Sequence, residues 1–448
     1  MLHETEEAAP RGAWRSVVKL GMIGLLGLLL LIPVTQVLGL VRERQQRERE
    51  VQAELARLWG GAQTVGALVV AAPLRAPAGP VEWVHFLPAE VSWTGTLRPE
   101  RRSRGIFEVT LYEARLAARG WFRRPDPGVL GVAPERVDWD RAVAVLVLDD
   151  PRGLASRPVL RWAGGERAFL PGVGPLAGLC AGVQAPLGAG GFDPDRPASG
   201  RMDFAVDLVL RGSEALQILP FGELTRAELG ARWSHPSFAG APLPRQRKVG
   251  PDAFTASWEV PYFGRGFPQQ WRSSETSAES LRITVPTAAF GVSLARPAGP
   301  YQQTERAVKY AVLFIALTFT TVFLLELLSP VRLHPAHYLL VGFALCLFYL
   351  LLLALGEHLG MGLAYLLAAA AIAGLVTLYA RAVLAGWLRA GVLGAALAGL
   401  YGWLYTLLRA EDYALLLGAS GLFAVLAAAM FLTRRLDWST LRFRPADG

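Results

Sequence analysis

Charged side chains are scarce in this sequence of 448 residues. Asp, Glu, Lys and Arg make up 18% of the chain, whereas soluble globular domains carry about 25%. Hydrophobic residues reach 52%. This composition excludes a purely water-soluble protein, and the high apolar content excludes an intrinsically disordered chain.

Signatures for nucleotides, metals and nucleic acids are also missing. The chain has no Walker A motif, no Gly-x-Gly-x-x-Gly at a strand–helix turn and no cysteine cluster, so ATP, dinucleotide and iron–sulfur functions find no support. The net charge of +8 comes from scattered arginines rather than from one basic stripe. We therefore expect no cofactor and no nucleic-acid partner.

The charge that is present is distributed unevenly. Residues 308–432 contain nine charged side chains, and the other 323 residues contain 73. A membrane-spanning helix needs about 20 largely apolar residues. The first apolar run is too long for a signal-peptide core and indicates an uncleaved signal anchor. In all, the apolar runs predict six transmembrane helices: Val17–Val41, Tyr310–Leu328, Ala336–Leu355, Met361–Ala380, Gly391–Leu408 and Tyr413–Leu432.

Lys and Arg in the short loops predict the orientation of these helices. One side collects Arg332, Arg381, Arg389 and the basic residues near both termini, which places both termini in the cytoplasm and the long loop outside it. Four arginines between Arg42 and Arg49 oppose this assignment, but the five later helices outweigh them. The predicted organisation is a cytoplasmic tail (1–16), a membrane anchor (17–41), a loop domain (42–307), a five-helix bundle (308–432) and a second cytoplasmic tail (433–448).

The two cysteines fall in different parts of this topology. Cys180 belongs to the loop domain and Cys346 to the third predicted helix, so we expect no disulfide bond between them. We interpret Cys180 as a small buried hydrophobic side chain.

The loop domain shows the pattern of a β-rich fold. A charged, helix-prone segment, Arg42–Leu58, comes first and predicts a helical stalk with Val51, Leu55 and Leu58 on one stripe. Short apolar runs separated by Pro and Gly then predict strands packed as a sandwich of antiparallel sheets. The predicted strands are Gly66–Ala72, Val81–Leu87, Gly105–Ala114, Ala142–Leu148, Met202–Leu210, Phe254–Val260 and Leu281–Val285.

Short motifs along almost the whole chain carry a family resemblance through their order and spacing. They include Phe86-Leu87-Pro88, Asp150-Pro151-Arg152-Gly153, Trp233-Ser234-His235-Pro236-Ser237-Phe238, Leu333-His334-Pro335, Glu357-His358 and Glu411-Asp412-Tyr413-Ala414. In these motifs the sequence resembles the CreD family of bacterial inner-membrane proteins. The resemblance implies a multi-pass protein of the inner membrane, a periplasmic loop domain and a link to cell-envelope integrity and envelope stress. It implies no established chemistry.

Ionisable groups in or beside the membrane helices are the first candidate site residues, because such groups are costly there. Glu357 and His358 lie in the tight turn between the third and fourth helices, where an acid and an imidazole could transfer protons or bind a cation; the alternative is a solvated loop tip. Glu326 and His334 flank the turn before the third helix. There Glu326 is expected to pair with Arg332 and fix the turn.

Two further groups of residues have plain structural roles as alternatives to functional ones. The pair His334-x-x-His337 has too few ligands for a metal site, because Pro335 interrupts helical spacing and no third ligand follows nearby. The segment from Trp233 to Phe238, with His235 between them, is an aromatic loop. It is either a recognition surface or a stiff corner that plugs the sandwich.

These features predict a function without catalysis. We expect an inner-membrane protein that supports envelope integrity, or senses the state of the envelope, through its loop domain. Its expected partners are the lipid bilayer and an envelope component or another membrane protein. Two alternatives stay open: a transporter or flippase of an envelope-related substrate, and a membrane enzyme that uses Glu357 and His358.

Overall fold

The computed structural model describes residues 11–75, 81–188, 201–294, 299–327, 333–384, 386–410 and 413–434. The chain divides into two compact units. One unit comprises Met1–Glu48 together with Ala298–Gly448, and its described residues are mainly helical. The other unit comprises Arg49–Pro297, and its described residues are rich in β-strands. The β-rich expectation for the loop domain is confirmed.

In the described ranges, nine α-helices are present. The third lies in the β-rich unit, and the second crosses from the helical unit into the β-rich unit. The helices are α1 Arg11–Leu29, α2 Leu31–Trp59, α3 Ala278–Thr287, α4 Pro300–Lys309, α5 Ala311–Leu327, α6 Pro335–Leu359, α7 Met361–Val383, α8 Trp387–Arg409 and α9 Ala414–Thr433.

Four helices of the described part are long and apolar enough to cross a membrane: Val18–Trp59, which joins α1 and α2 through Leu30, and α6, α7 and α8. A fifth span results if α4 and α5 count as one helix, since they follow each other with a bend of 47°. The expected sixth span coincides with α9, which is not among these helices. The structure therefore supports four to five spans, and six spans stay a prediction.

The helical unit has its own apolar core, to which α1, α5, α6, α7 and α8 contribute. Helix α1 packs on α6, where the Leu30 side chain occupies the space that a Cβ on Gly342 would need. Farther along α6, the Phe348 ring contacts the rings of Tyr365 and Tyr401 on α7 and α8. The hydrophobic effect does not drive helices together inside a bilayer. Their association depends on close van der Waals contacts such as these.

The β-rich unit contains 17 strands within the described ranges. They are β1 Gln63–Pro73, β2 Trp83–Phe86, β3 Glu90–Arg104, β4 Phe107–Arg123, β5 Val143–Leu148, β6 Val159–Trp162, β7 Gly165–Ala168, β8 Leu170–Pro171, β9 Gly182–Pro186, β10 Arg201–Ser213, β11 Ala215–Ile218, β12 Leu224–Ala231, β13 Ser237–Gly240, β14 Gln246–Val249, β15 Phe254–Pro261, β16 Gln270–Arg272 and β17 Phe290–Ser293.

These strands form two sheets. The nine-stranded sheet has the order β13-β17-β11-β1-β5-β9-β8, with β2 on β1 and β16 on β2, and the eight-stranded sheet has the order β14-β15-β12-β3-β4-β10-β6-β7. Most neighbours are antiparallel, as expected, but β1 with β11 and β3 with β12 are parallel.

The two sheets pack against each other around one core. Strand β10 alternates buried and exposed side chains, as a strand with one solvated face requires. Across the sheets, the Trp258 ring of β15 contacts the Phe290 ring of β17 with centroids 5.7 Å apart. Strand β1 differs because nearly all of its side chains are buried, which means that a further layer covers its second face.

Two local predictions for the β-rich unit are wrong. Leu281–Val285 belongs to α3 rather than to a strand, because Leu281 and Val285 are one helical turn apart and face the same cavity. The stalk is helical as expected, but Leu58 is 77% exposed. The apolar stripe of the stalk therefore does not reach its last turn.

Candidate functional site

A cavity in the β-rich unit lies on the second face of the central strands β1 and β5. Its volume is about 170 Å³, and Val69 of β1, Val147 of β5 and Trp271 of β16 are among its lining residues. Helix α3 lines it as well, through Leu281 and Val285. The helix thus contributes to the layer over this side of β1.

The polar groups around this cavity are few. Asp149 and Arg282 contribute exposed charged side chains, and Arg282 also pairs with Glu279 on its own helix. Cys180 lines the cavity and is half-buried. Burial, with a smaller contribution from the Asp149 charge, raises the pKa of the Cys180 thiol to about 12. At neutral pH this cysteine is therefore a neutral, weakly reactive part of the wall.

The size and chemistry of the cavity define what it can bind. An apolar cavity of about 150 Å³ stays dry and holds a ring such as benzene. Ligand pockets are typically apolar with a few polar groups that orient the ligand. The cavity beside α3 fits one apolar group whose polar continuation remains near Asp149 and Arg282.

His85 adds a titratable group behind the cavity wall. Its imidazole is 1% exposed and stacks on the indole of Trp271, with ring centroids 4.8 Å apart and planes within 7°. Burial lowers the pKa of His85 from 6.5 to about 4, and backbone groups of Trp271 and Pro175 oppose this shift in part. The imidazole is therefore neutral at physiological pH.

The helical unit contains a buried polar cluster around Glu326, which is 3% exposed. Lys19 of α1 forms an ion pair with the Glu326 carboxylate. The Tyr338 hydroxyl donates to the same carboxylate at 2.9 Å and the Leu333 amide at 3.0 Å. The carboxylate thus connects α1, α5 and the start of α6. The expected partner Arg332 lies outside the described residues.

A second cluster surrounds Glu357 near the other end of α6. The Tyr301 hydroxyl of α4 donates to Glu357 at 3.1 Å, and the Arg44 guanidinium of α2 lies 3.6 Å from the same carboxylate oxygen. His358 is exposed. Glu357 therefore connects α6 with α2 and α4, whereas the His358 imidazole beside it is on the surface of the helical unit.

The histidines at the start of α6 have separate contacts. His334 caps the helix, because its Nδ1 accepts from the Ala336 amide at 3.3 Å. His337 Nδ1 lies 2.6 Å from the Tyr379 hydroxyl of α7. Among the described residues, no group of three or more His, Cys, Asp and Glu side chains could hold a metal ion.

The aromatic segment of the β-rich unit is largely part of the core. Trp233 is 8% exposed, and its indole N–H donates to the His235 carbonyl at 3.1 Å. Phe238 of β13 is half-buried and packs edge-to-face on Phe254 and Trp258 of β15. His235 alone of the three candidates here is exposed.

The interior of the helical unit offers few polar groups for transport. The hydroxyls of Tyr349 and Tyr401 are buried and have no hydrogen-bond partner among the described residues. Between Tyr338 and Tyr349 lie about 16 Å of α6, whose only polar side chain is Cys346. The transporter alternative remains a prediction from the sequence.

Sequence reasoning missed the cavity and the role of Lys19. The cavity is formed by residues far apart in the chain, from β1 to α3, and most of them are apolar residues typical of a core. Lys19 belongs to the basic residues near the N-terminus that predict the orientation, and its partner Glu326 is 307 positions away. A single charge at the edge of an apolar helix was the one available signal for that pair.

The apolar helices, the buried ion pair and the β-rich unit define the class: an integral membrane protein with a large β-rich domain. Residues 15–439 match the family model described as "Inner membrane protein CreD". The chain is 33% identical over 423 residues to the inner membrane protein CreD of Escherichia coli (strain K12), and this match covers 92% of the chain and 91% of that protein. The chain belongs to the CreD family, which confirms the resemblance.

The chain also aligns with a solved structure at low identity. The crystal structure of the M1 zinc metallopeptidase from Deinococcus radiodurans aligns with 80% of this chain and 94% of that chain, at 11% identity and a TM-score of 0.19.

Proposed function

We propose that this CreD-family membrane protein supports cell-envelope integrity by binding an apolar group of an envelope component in its β-rich domain. The cavity beside α3 carries the proposal, since it combines an apolar interior with charged groups at Asp149 and Arg282. In this proposal the domain lies in the periplasm and the helices hold it at the inner membrane.

The distribution of basic residues supports the orientation. Arg381 and Arg389 flank the connection between α7 and α8, and Lys19 precedes the apolar part of α1. Positively charged residues concentrate on the cytoplasmic side of membrane proteins. We therefore propose six spans with both termini in the cytoplasm. The accessibility of single cysteines to a membrane-impermeant thiol reagent tests each loop.

Binding is favoured over catalysis by the contacts of Glu357. Its carboxylate accepts from Tyr301 and faces Arg44, which are contacts that join α6 to α4 and α2. His358 is exposed beside it and has no role in this cluster. A membrane enzyme that uses these two residues therefore finds less support than a binding protein.

A matched pair of substitutions on α3 tests the proposed function. Val285→Phe places a ring in the cavity, whereas Ile283→Phe adds the same ring at a position that is 63% exposed. In full-length protein in nanodiscs, the raised pKa of Cys180 makes its alkylation by N-ethylmaleimide slow. We expect benzene to slow this alkylation further over a long incubation, as measured by peptide mass spectrometry. Val285→Phe should abolish this protection and Ile283→Phe should retain it.

The same variants test whether the cavity is needed for envelope integrity in cells. In cells that lack the native protein, Ile283→Phe should restore growth on an envelope-damaging detergent, and Val285→Phe should not. A folded Val285→Phe protein that restores growth fully would contradict the proposal. Tryptophan fluorescence during urea unfolding reports whether each variant folds.

A further inference from the structure

A second cavity lies within the helical unit, between α1 and α5. Its volume is about 530 Å³. On α1 it is lined by Leu20, Ile23, Gly24 and Gly27, and on α5 by Phe319 and Phe323, among others. We call this space the α1–α5 groove.

The glycines of the groove do not serve close helix packing. Small residues in membrane helices usually let two backbones approach each other. A Cβ built on Gly24 or Gly27 would meet no atom within 4 Å. Leu30, directly after α1, instead packs closely on Gly342 of α6, and the positions of Gly24 and Gly27 stay open beside α5.

The groove wall offers nothing for water to bind. Thr320 is the only polar side chain among its twelve lining residues, and its hydroxyl donates to the Ala316 carbonyl at 2.8 Å. An apolar space without polar partners does not retain water. The groove therefore takes hydrocarbon.

The groove is long enough for a hydrocarbon chain. It is lined from Leu20 to Leu31, a length of about 16 Å. A lipid chain can lie along this length in contact with both α1 and α5. The experiment below separates this occupant from a helix of a second copy.

One end of the groove adjoins a positive charge. Lys19 directly precedes the first groove residue, and its partner Glu326 lies one turn beyond Phe323. The Lys19 ammonium has three N–H donors, of which one contacts Glu326 and one the Leu333 carbonyl at 3.0 Å. The remaining donor suits a phosphate oxygen at the membrane surface.

We propose that the α1–α5 groove binds one acyl chain of a phospholipid whose phosphate lies beside Lys19. The bilayer supplies this ligand, and the shape of the groove holds it through van der Waals contacts along both helices. The bound lipid then acts as a permanent part of the packing between α1 and α5.

Native mass spectrometry of the full-length protein, released from nanodiscs of phosphatidylcholine, tests the proposal. We expect wild type to retain one phospholipid. Gly24→Leu should lose it, because the new side chain fills the groove without meeting an atom within 4 Å of its Cβ. Gly39→Leu is the matched control, since Gly39 of α2 is equally open but lies outside the groove, and it should retain the lipid.

The outcomes distinguish the possible occupants. Equal retention by wild type and Gly24→Leu, or no retention by wild type, would overturn the proposal. A dimer mass that Gly24→Leu abolishes would assign the groove to a second copy and would also overturn it. Equal retention of monoolein, which has no phosphate, would refute the contact with Lys19. Gly27→Leu repeats the test if Gly24→Leu fails to fold.

Discussion

At the scale of single residues, His85 shows how burial sets the chemistry of a side chain. Its imidazole is enclosed by the β-rich core and stacks on Trp271, which also lines the cavity beside α3. Transfer of a charged imidazolium into such a site is unfavourable, so the neutral form prevails. Protonation of His85 therefore opposes folding and disturbs the cavity wall at the same time.

We predict that acid destabilises the β-rich unit through His85. The unfolded state takes up the proton near pH 6.5 and the folded state only near pH 4. The stabilising effect of the neutral form is therefore complete above pH 6.5 and is lost as the pH falls towards 4. The full loss is about 3 kcal/mol. Urea unfolding at pH 7.5 and pH 5, followed by tryptophan fluorescence, should show about 2 kcal/mol of this loss, because pH 5 is about one unit above the pKa of the folded state.

His85→Phe provides the comparison, because phenylalanine retains a stacking ring and does not titrate. The variant should lose less free energy of unfolding between pH 7.5 and pH 5 than wild type. An identical pH dependence in both proteins would contradict the role assigned to His85.

At the scale of elements, the Glu326 cluster fixes the first helix to the bundle. The carboxylate is held by Lys19 from α1 and Tyr338 from α6, so one buried group orients three helices. A buried ion pair contributes little net stability, but removal of one partner leaves an uncompensated charge. The pair therefore specifies where α1 packs.

We predict that Lys19→Met lowers the thermal unfolding midpoint of the detergent-solubilised protein, because loss of the ammonium costs about 3 to 5 kcal/mol. Adding Glu326→Gln to this variant should recover part of the loss. Lys309→Met is the control, since Lys309 pairs with Glu305 but is 63% exposed, and exposed pairs contribute about 1 kcal/mol or less. Equal effects of Lys19→Met and Lys309→Met would refute the prediction.

At the scale of the whole molecule, the chain combines two units with separate apolar cores. The core of the β-rich unit contains residues of both sheets and of α3, and the core of the helical unit contains residues from α1 and from α4 to α8. A domain of this size buries enough apolar surface to fold without disulfide bonds. The free thiol of Cys180 agrees with that.

We predict that residues 49–297 fold without the helical unit. The isolated unit should be soluble and show a cooperative urea transition at the midpoint of the same unit in the full-length protein. Circular dichroism and tryptophan fluorescence measure this transition. Wild type, Val285→Phe and Ile283→Phe should have the same order of unfolding midpoints in the isolated unit and in the full-length protein. A non-cooperative transition of the isolated unit would show that it needs the helices.

Much of the fold follows from local patterns. The runs that form β1, β5 and β10 alternate or are wholly apolar between turn residues, and they are strands as predicted. The segment Leu281–Val285 shows the limit of this approach. Its short apolar run fits a strand and a helix equally well, and only packing against the β1 sheet selects the helix α3.

The candidate sites were less predictable. Glu357 was recognised from the sequence, but its partners Arg44 and Tyr301 lie 313 and 56 positions away, and no local pattern links them. Trp233 and Phe238 were recognised as unusual, and the structure places both largely within the core. A residue type indicates possible chemistry, whereas the tertiary contacts decide which chemistry is available.

The sequence by itself determined the membrane class, the β-rich nature of the loop domain and the family of this protein. These properties depend on apolar length, on periodicity and on motif order, and each is a property of residues close together in the chain. Only the tertiary structure decided the pairing of Lys19 with Glu326, the cavity beside α3 and the α1–α5 groove. Each of these arises where segments hundreds of residues apart meet, and their shape depends on side chains from both.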